Sequence, residues 1–501
     1  MLKREESSVA IFASVIISLG SLAAFVYIKN RKRQNVHFTT SERVHDGWTG
    51  HFGSDDAILD SSFNDKKESE NTWIGNRDTS AKMDLLHKGA NKGGKLLVVM
   101  VGLPGSFKTL IARKVARFLR WNSYNTRAFS IAKYRLDKLG SKSAEFFDPA
   151  NTGSVRQRML VLAEALEDAV RYLSRGGDIA ILDGTNTTRL RRDLIRQRLA
   201  RENNYEVLWI ESKRGDDDIN VAVNDMSTLN ESPDFLNSVD YQRRVSHYRA
   251  DYESVGDDEG PFVRIYNQFK KFTLHQTQGF LPTKIVSFVV NLKPQQKSVT
   301  FCRHGESTFN SRSLLGGDSG LTARGVKFSH GLAEFLATID NGVIVWVSTM
   351  RRARETADAI PFARRRVEWR ALNDIEAGVC DGMTYEGVKS RFPEEYRSRS
   401  VDKLRYRYPR GESYLDVIAR LEPVIYELER HHDDGELVII AHQAVLRCLY
   451  AYFLDLQLEE IPFLEIPLHT LIRLEPMTYG CREKRVRILV DAKSSDGKLN
   501  K

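Results

Sequence analysis

The run Lys95-Leu-Leu-Val-Val-Met-Val101 passes directly into Gly102-Leu-Pro-Gly-Ser-Phe-Lys108-Thr109 and then into a helical stretch, Leu110–Leu119. Buried strand, glycine loop, Lys-Thr and helix in that order commit this part of the chain to an α/β layer. In such a layer a phosphate rests on backbone N–H groups at a helix N-terminus. The lysine of such a loop meets the terminal phosphates and the threonine hydroxyl reaches magnesium. Gly102, Gly105, Lys108 and Thr109 are therefore candidate contacts for ATP and Mg2+. The pattern calls for glycine immediately before the lysine, where the backbone turns tightly; this chain has Phe107, whose Cβ and ring should obstruct that turn. A plain strand–turn–helix is the bland reading of the same residues.

Strand-like and helix-like stretches alternate from there: Gln157–Leu173 helical, Asp178–Leu182 strand, Arg189–Asn203 helical and Tyr205–Ile210 strand. That alternation predicts a parallel sheet covered by helices. Asp183, at the end of its strand, falls where open α/β sheets bind ligands, and a carboxylate there can orient magnesium or accept a hydroxyl proton. A second series starts at Ser298-Val-Thr-Phe-Cys302, with strands at Val343–Val347 and Leu437–Ala441. The expectation is two tandem α/β domains, over 95–297 and 298–492, with a short tail over 493–501.

Upstream, Val9–Ile28 is twenty uncharged residues followed at once by Lys29-Asn-Arg-Lys-Arg33. The length suits a bilayer core and the basic flank lies on the wrong side for a cleaved signal. Residues 1–35 therefore read as a transmembrane anchor, with the remainder of the chain in the cytosol. A buried helix is the alternative. Residues 36–94, rich in Ser, Asp, Asn, Gly and Lys without periodicity, read as a disordered tether. The four cysteines are too few for a disulfide framework in 501 residues. The net charge of +9 is gathered in arginine clusters such as Arg189–Arg192, Arg351–Arg354 and Arg364–Arg366. No aromatic–basic interleaving favours nucleic acid, whereas guanidinium groups suit small phosphorylated ligands.

The second series carries the sharper chemistry. Strand Val299–Cys302 delivers Arg303-His304-Gly305-Glu306 to its C-terminal end. An imidazole there can attack phosphorus and split hydrolysis into two easier steps, with Arg303 neutralising the phosphoryl oxygens. Leu437–Ala441 likewise ends in His442-Gln443, and Val343–Val347 ends in Ser348-Thr-Met-Arg351-Arg352. Three strand ends bringing two histidines and several arginines together would form a pocket for a highly charged phosphate.

With these residues in view, the chain from Lys95 to about Ala492 resembles the histidine phosphatase superfamily, whose fold is phosphoglycerate mutase-like. More closely it resembles the bifunctional 6-phosphofructo-2-kinase/fructose-2,6-bisphosphatase family. The resemblance rests on CRHGE at Cys302–Glu306, GGDSGL at Gly316–Leu321, AGVC at Ala377–Cys380 and PEEY at Pro393–Tyr396. It extends through YRYPRGESY at Tyr406–Tyr414, HQAVLRCLYAYFLD at His442–Asp455 and PLHT at Pro467–Thr470. Upstream, VMVGLP at Val99–Pro104 and TNTTR at Thr185–Arg189 match the kinase half.

The resemblance implies that His304 is a phosphohistidine nucleophile and that Arg303, Arg352 and His442 grip the transferred phosphate. Asn310, Gly316, Tyr385, Arg399, Lys403, Arg407, Tyr414, Gln443 and Arg447 match positions that hold the sugar bisphosphate. The family's proton donor is a glutamate; here the matching residue is Asp374, one methylene shorter, with Glu376 as a nearby substitute. In the kinase half Arg135, Arg158, Thr185, Arg191, Arg244 and Tyr248 match fructose 6-phosphate contacts. Asp183 matches the catalytic aspartate and Asn224 a nucleotide contact. Besides Phe107, Leu229 replaces an ATP-binding lysine, and the family's active-site cysteine has no counterpart near Ser212–Gly215. The expectation is a fructose-2,6-bisphosphate 2-phosphatase that needs no cofactor, joined to a kinase-like domain whose ATP site is altered. An active bifunctional enzyme, a non-catalytic membrane-tethered sensor of sugar phosphate and nucleotide, and a histidine phosphatase for another phosphate ester are the alternatives. The family relationship further implies a homodimer.

Overall fold

In the computed structural model, residues 37–45, 94–214, 238–293, 297–431, 434–477 and 480–490 are described. The first sheet has six strands: β2 (Lys95–Val101), β3 (Thr126–Ser130), β4 (Ile179–Asp183), β5 (Tyr205–Lys213), β6 (Phe262–Tyr266) and β7 (Lys271–His275). Their order is β3-β4-β2-β5-β6-β7, parallel except for the antiparallel edge strand β7. Every residue of β4 is buried, and β2 is buried from Leu96 on, because helices cover both faces of the sheet.

The second sheet contains β1 (His37–His45), β8 (Val299–Arg303), β9 (Val343–Ser348), β10 (Arg365–Trp369), β11 (Glu436–Ala441), β12 (Thr470–Pro476) and β13 (Cys481–Leu489). Its order is β1-β13-β12-β8-β11-β9-β10, with β8, β11, β9 and β10 parallel and β12, β13 and β1 added antiparallel at one side. The neighbours β8, β11 and β9 run the same way, so their C-terminal ends, and the residues just past them, emerge side by side.

The two tandem α/β domains stand, but two parts of the expected architecture need correction. Among the described residues no helix is long and apolar enough to cross a membrane, so the transmembrane element is withdrawn from the fold; Val9–Ile28 lies outside the described residues. Within the expected tether, His37–His45 is a strand paired along its whole length with β13, while 46–93 lie outside the described residues. The side chains of residues 39–44 are exposed. An edge strand held by backbone hydrogen bonds buries no apolar face, so it leaves no periodicity to read.

The two sheets share one continuous apolar core. Helix Lys108–Trp121, which begins with the Lys-Thr of the glycine loop, packs on helix Gln443–Leu454, which begins immediately after His442. Across this contact Trp121 Nε1 donates to Cys448 O at 2.8 Å, and Arg120 Nε donates to Asp455 Oδ1 at 3.0 Å. Lys114 and Arg117 both meet the Glu429 carboxylate at 2.7 Å. Burial opposes the charge on Glu429, but Lys114 and Arg117 outweigh it and hold the carboxyl down at about 2. All four cysteines are free and buried.

Candidate active site

At the ends of β8, β11 and β9, His304 and His442 lie with ring centroids 5.0 Å apart and are 2% and 0% exposed. His304 N donates to Ala441 O at 3.1 Å, which locks the two strand ends together. Arg352, at the start of helix Arg351–Asp358, donates from Nε to His304 Nε2 at 3.1 Å. A guanidinium can only donate, so Nε2 carries the lone pair and Nδ1 the proton, which goes to Gly305 O at 2.7 Å. Burial, then the charges of His442, Arg352 and Arg303, push the His304 imidazole well below its ordinary pKa. The result is a neutral ring whose unprotonated nitrogen faces a cation, which is the state a phosphorus nucleophile requires.

The cations around it are fixed by second partners. Arg352 Nη1 donates to Gly317 O at 2.7 Å and Nη2 to Asp374 Oδ2 at 2.9 Å. Arg303 Nη1 donates to Ile466 O at 2.9 Å, and burial draws its guanidinium down to about 10. Asp374 Oδ2 also stands 3.7 Å from His442 Nδ1. Glu376 is exposed, and no described contact joins its carboxylate to the histidines.

Of the sugar-side positions, Arg447 Nη1 donates to Tyr414 OH at 3.0 Å and Arg399 Nη2 to Tyr385 OH at 3.1 Å. Lys403 Nζ donates to Pro462 O at 2.8 Å; burial, with Arg399 and Arg447 nearby, lowers it to about 8. These three cations therefore feel one another. Gly316 has φ 60°, and a Cβ there would fall 1.6 Å from Asp381 Oδ1, so only glycine fits. Two further positions have partners of their own. Arg407 is held by Asp416 through both carboxylate oxygens, and Asn310 Oδ1 accepts from Ser307 N at 3.1 Å as part of a helix cap. Gln443 is half-buried at the first position of its helix.

The arginine clusters of the sequence separate in space. Arg192 is wholly buried against Glu259 at 2.6 Å, Arg351 pairs with Glu355 at 2.6 Å, and Arg366 pairs with Asp358 at 2.6 Å. Side chains that motif reading passed over complete the site. Thr356 Oγ1 accepts Gly305 N at 2.9 Å. Arg420 donates to the carbonyls of Ala371, Asn373 and Asp374. Neither has a local spacing that could have revealed it.

In the first domain Thr109 Oγ1 donates to Asp183 Oδ2 at 2.8 Å. Lys108 Nζ turns onto Leu103 O and Ser106 Oγ, and burial, partly offset by Asp183, lowers it to about 8. Burial raises the Asp183 carboxyl above its ordinary value despite Thr109, Lys108 and Arg113. A Cβ on Gly102 would lie 2.4 Å from Ser212 O, and Gly105 has φ 75°. Phe107 adopts φ 61° and ψ 11°, the left-handed conformation that glycine is chosen for. Its ring lies 4.4 Å beneath the Arg214 guanidinium, which also donates to Gly105 O at 2.7 Å. Ser212 Oγ, near the place of the missing cysteine, donates to Ser106 O.

Around Phe147, Arg135, Arg158 and Arg244 stand with guanidinium carbons 5.2, 6.0 and 3.6 Å from the ring centroid. Tyr248 packs against the same ring, tilted by 38° with centroids 5.7 Å apart. Burial lowers Arg191 to about 10, with Arg158 adding to the effect. Neither Arg158 nor Arg191 has a carboxylate partner among the described residues. Thr185 O accepts Gly102 N at 2.9 Å, joining this loop to the glycine loop. Asn224 and Leu229 lie outside the described residues.

A neutral, cation-flanked histidine at a strand end, in a chain that also carries a glycine-loop α/β domain, is the arrangement of a histidine phosphatase joined to a second α/β domain. The sequence models for 6-phosphofructo-2-kinase and for the histidine phosphatase superfamily (branch 1) match residues 54–296 and 299–488. The 6-phosphofructo-2-kinase/fructose-2,6-bisphosphatase 1 of Rattus norvegicus is 40% identical over 409 residues, covering 79% of this chain and 85% of the rat protein. The fructose-2,6-bisphosphatase of Saccharomyces cerevisiae is 37% identical over 415 residues, covering 80% and 90%. Among solved structures, a mycobacterial glucosyl-3-phosphoglycerate phosphatase is similar over 36% of this chain and 90% of its own, at 25% identity and a TM-score of 0.32. The chain belongs to the 6-phosphofructo-2-kinase/fructose-2,6-bisphosphatase family.

Proposed function

We propose that the second domain hydrolyses the 2-phosphate of fructose 2,6-bisphosphate through a phosphohistidine at His304. The observation that carries the reading is the Arg352–His304 contact of 3.1 Å, which keeps Nε2 unprotonated beside a cation that can hold the phosphoryl oxygens. In the first step the Nε2 lone pair forms the N–P bond, the P–O bond to C2 breaks, and Asp374 delivers a proton to the departing oxygen. In the second, water attacks phosphorus, its proton passes to Asp374, and the N–P bond breaks to release phosphate. The leaving oxygen sits on a hemiketal carbon, which makes it less basic than an ordinary alkoxide and lightens the demand on the shorter acid. Arg399, Lys403, Tyr414 and Arg447 are the groups for the distal sugar phosphate.

The first domain holds fructose 6-phosphate between Arg135, Arg158, Thr185, Arg191, Arg244 and Tyr248, with weak or absent kinase turnover. Support comes from the strained Phe107 and its ring under Arg214 at the loop that would carry the triphosphate. A second reading, a retained kinase, is favoured by the Thr109–Asp183 contact of 2.8 Å, which suits Mg2+, and by Lys108 in the same loop. Bound there, Mg2+ and ATP would supply the electrophilic phosphate. Binding of ATP to wild type and to Phe107→Gly separates the two readings.

The direct test is incubation of the protein with fructose 2,6-bisphosphate radiolabelled at the 2-phosphate. An acid-labile phosphoprotein and released fructose 6-phosphate are expected from wild type, and neither from His304→Ala. Absence of both from wild type refutes the phosphatase.

A further inference from the structure

The hydrogen-bond chain behind His442 fixes where that ring keeps its proton. Thr349 N donates to Asn373 Oδ1 at 3.0 Å, so this atom is the amide oxygen and can only accept. Ser348 Oγ lies 2.9 Å from the same oxygen, a contact that must hold the single proton of the serine. Met350 N also donates to Ser348 Oγ, at 3.2 Å. With its proton committed, Ser348 Oγ can only accept from His442 Nε2, 2.7 Å away. The ring is thus the Nε2–H tautomer.

Its other nitrogen, Nδ1, is bare, fully buried and without a hydrogen-bond partner among the described residues. It points at the nucleophile's cluster: Asp374 Oδ2 is 3.7 Å away, and that oxygen takes the guanidinium which also touches His304 Nε2. The groups that face the ring are His304, Asp374, Arg352, Arg303 and Arg420. A lone pair turned towards a phosphate dianion repels it, and one proton on Nδ1 converts the contact into a charge-assisted hydrogen bond.

We propose that Ser348 is a positioning residue that holds His442 as the Nε2–H tautomer, reserving Nδ1 to take up one proton when a phosphate dianion binds. The proton comes from solvent on binding and returns when the dianion leaves; no other bond is made or broken. The inference rests on reading the paired histidines as the phosphoryl site, yet its test is separable from the trapping experiment.

Titrating the full chain with inorganic phosphate by calorimetry at about pH 8, above the second ionisation of phosphate, in two buffers of different ionisation enthalpy counts the protons. About one proton taken up is expected for wild type. In Ser348→Ala the uptake should vanish, and affinity should fall roughly 10-fold, the usual effect of losing a hydrogen bond to a charged group. Ser348→Thr, which keeps the hydroxyl, should restore both, and Asp374→Asn should keep the uptake. Nitrogen-15 spectra of labelled histidine should show His442 protonated on Nε2 in the free protein and on both nitrogens with phosphate. A free ring protonated on Nδ1 overturns the proposal, as does binding without proton uptake. Uptake lost in Asp374→Asn but kept in Ser348→Ala moves the proton to Asp374 and also overturns it. A phosphoprotein trapped on His304 alongside zero uptake would sink this inference while leaving the phosphatase intact. Absence of phosphate affinity together with absence of trapped label would sink both.

Discussion

The two strand-end sites of this molecule treat their phosphate-binding groups in opposite ways. Around His304, each cation is held by a carbonyl or carboxylate that leaves its remaining donors aimed inward, as with Arg303 on Ile466 O and Arg352 on Gly317 O. In the glycine loop, Lys108 turns onto the loop's own Leu103 O, and Phe107 occupies a backbone conformation that disfavours side chains. Elsewhere in the same domain three arginines gather at Phe147. The difference teaches that the two sites are built independently, because each is assembled from its own strand ends. Strain in one loop leaves the arginines of another element in place.

The largest expected effect tests the intact side. Arg352→Ala removes the donor to Nε2 and should lower phosphatase turnover by about 10²–10³-fold, the usual cost of one preorganised donor. Steady-state rates that stay within about tenfold of wild type would erase the contrast between a well-held nest and a strained loop.

A second substitution tests whether the two sites belong to one cooperative body. Glu429→Ala leaves Lys114 and Arg117 buried without their shared carboxylate, which should cost about 3–5 kcal/mol. Calorimetry should show a lower, split transition; a single unshifted one would mean the domains are coupled elsewhere. The sign with pH follows from the depressed carboxyl. Its contribution is complete above the unfolded value of 4.5 and is lost as pH falls towards about 2.

Sharper still is Phe107→Gly. Relief of left-handed strain of about 1–2 kcal/mol should raise the melting temperature by a few degrees, and removal of the ring should tighten ATP binding as read by titration calorimetry. Unchanged affinity would shift the fault from this residue to another, with Leu229 the first to examine.

The smallest effect concerns the added edge strand. His45→Ala removes a 2.8 Å contact to Glu483, whose carboxylate keeps Tyr450 and Arg485. His45 is partly exposed and Glu483 keeps its other partners, so the contact is worth about 0–1 kcal/mol and the melting temperature should move by no more than a few degrees. A larger shift would show that β1 clamps the phosphatase sheet.

Much of the site was legible because its residues stand at the ends of apolar runs. Arg303-His304, Ser348 to Arg352 and His442 each follow a strand read from a buried run, and in a parallel sheet adjacent strand ends must meet. The interior strands β2, β4, β8, β9 and β11 were legible for the same reason. β1, β12 and β13 were not, since edge and antiparallel strands expose alternate residues and carry weaker signals. Arg407 and Asn310 matched family positions, yet their hydrogen bonds run to Asp416 and Ser307, a pairing that spacing could not reveal.

Sequence by itself determined the two sheets, the histidines that end two strands, and the phenylalanine before Lys108, because buried runs and loop chemistry are local. Only the tertiary structure decided which nitrogen of each imidazole is bare, since that depends on Gly305 O, Arg352, Ser348 and Asn373 arriving from separate elements. It also decided that Phe107 bends into the left-handed region without breaking the loop, and that Arg192 serves Glu259 while Arg352 serves His304. Proton positions and ion pairs are set by groups distant in sequence, and a one-dimensional pattern carries no record of their meeting.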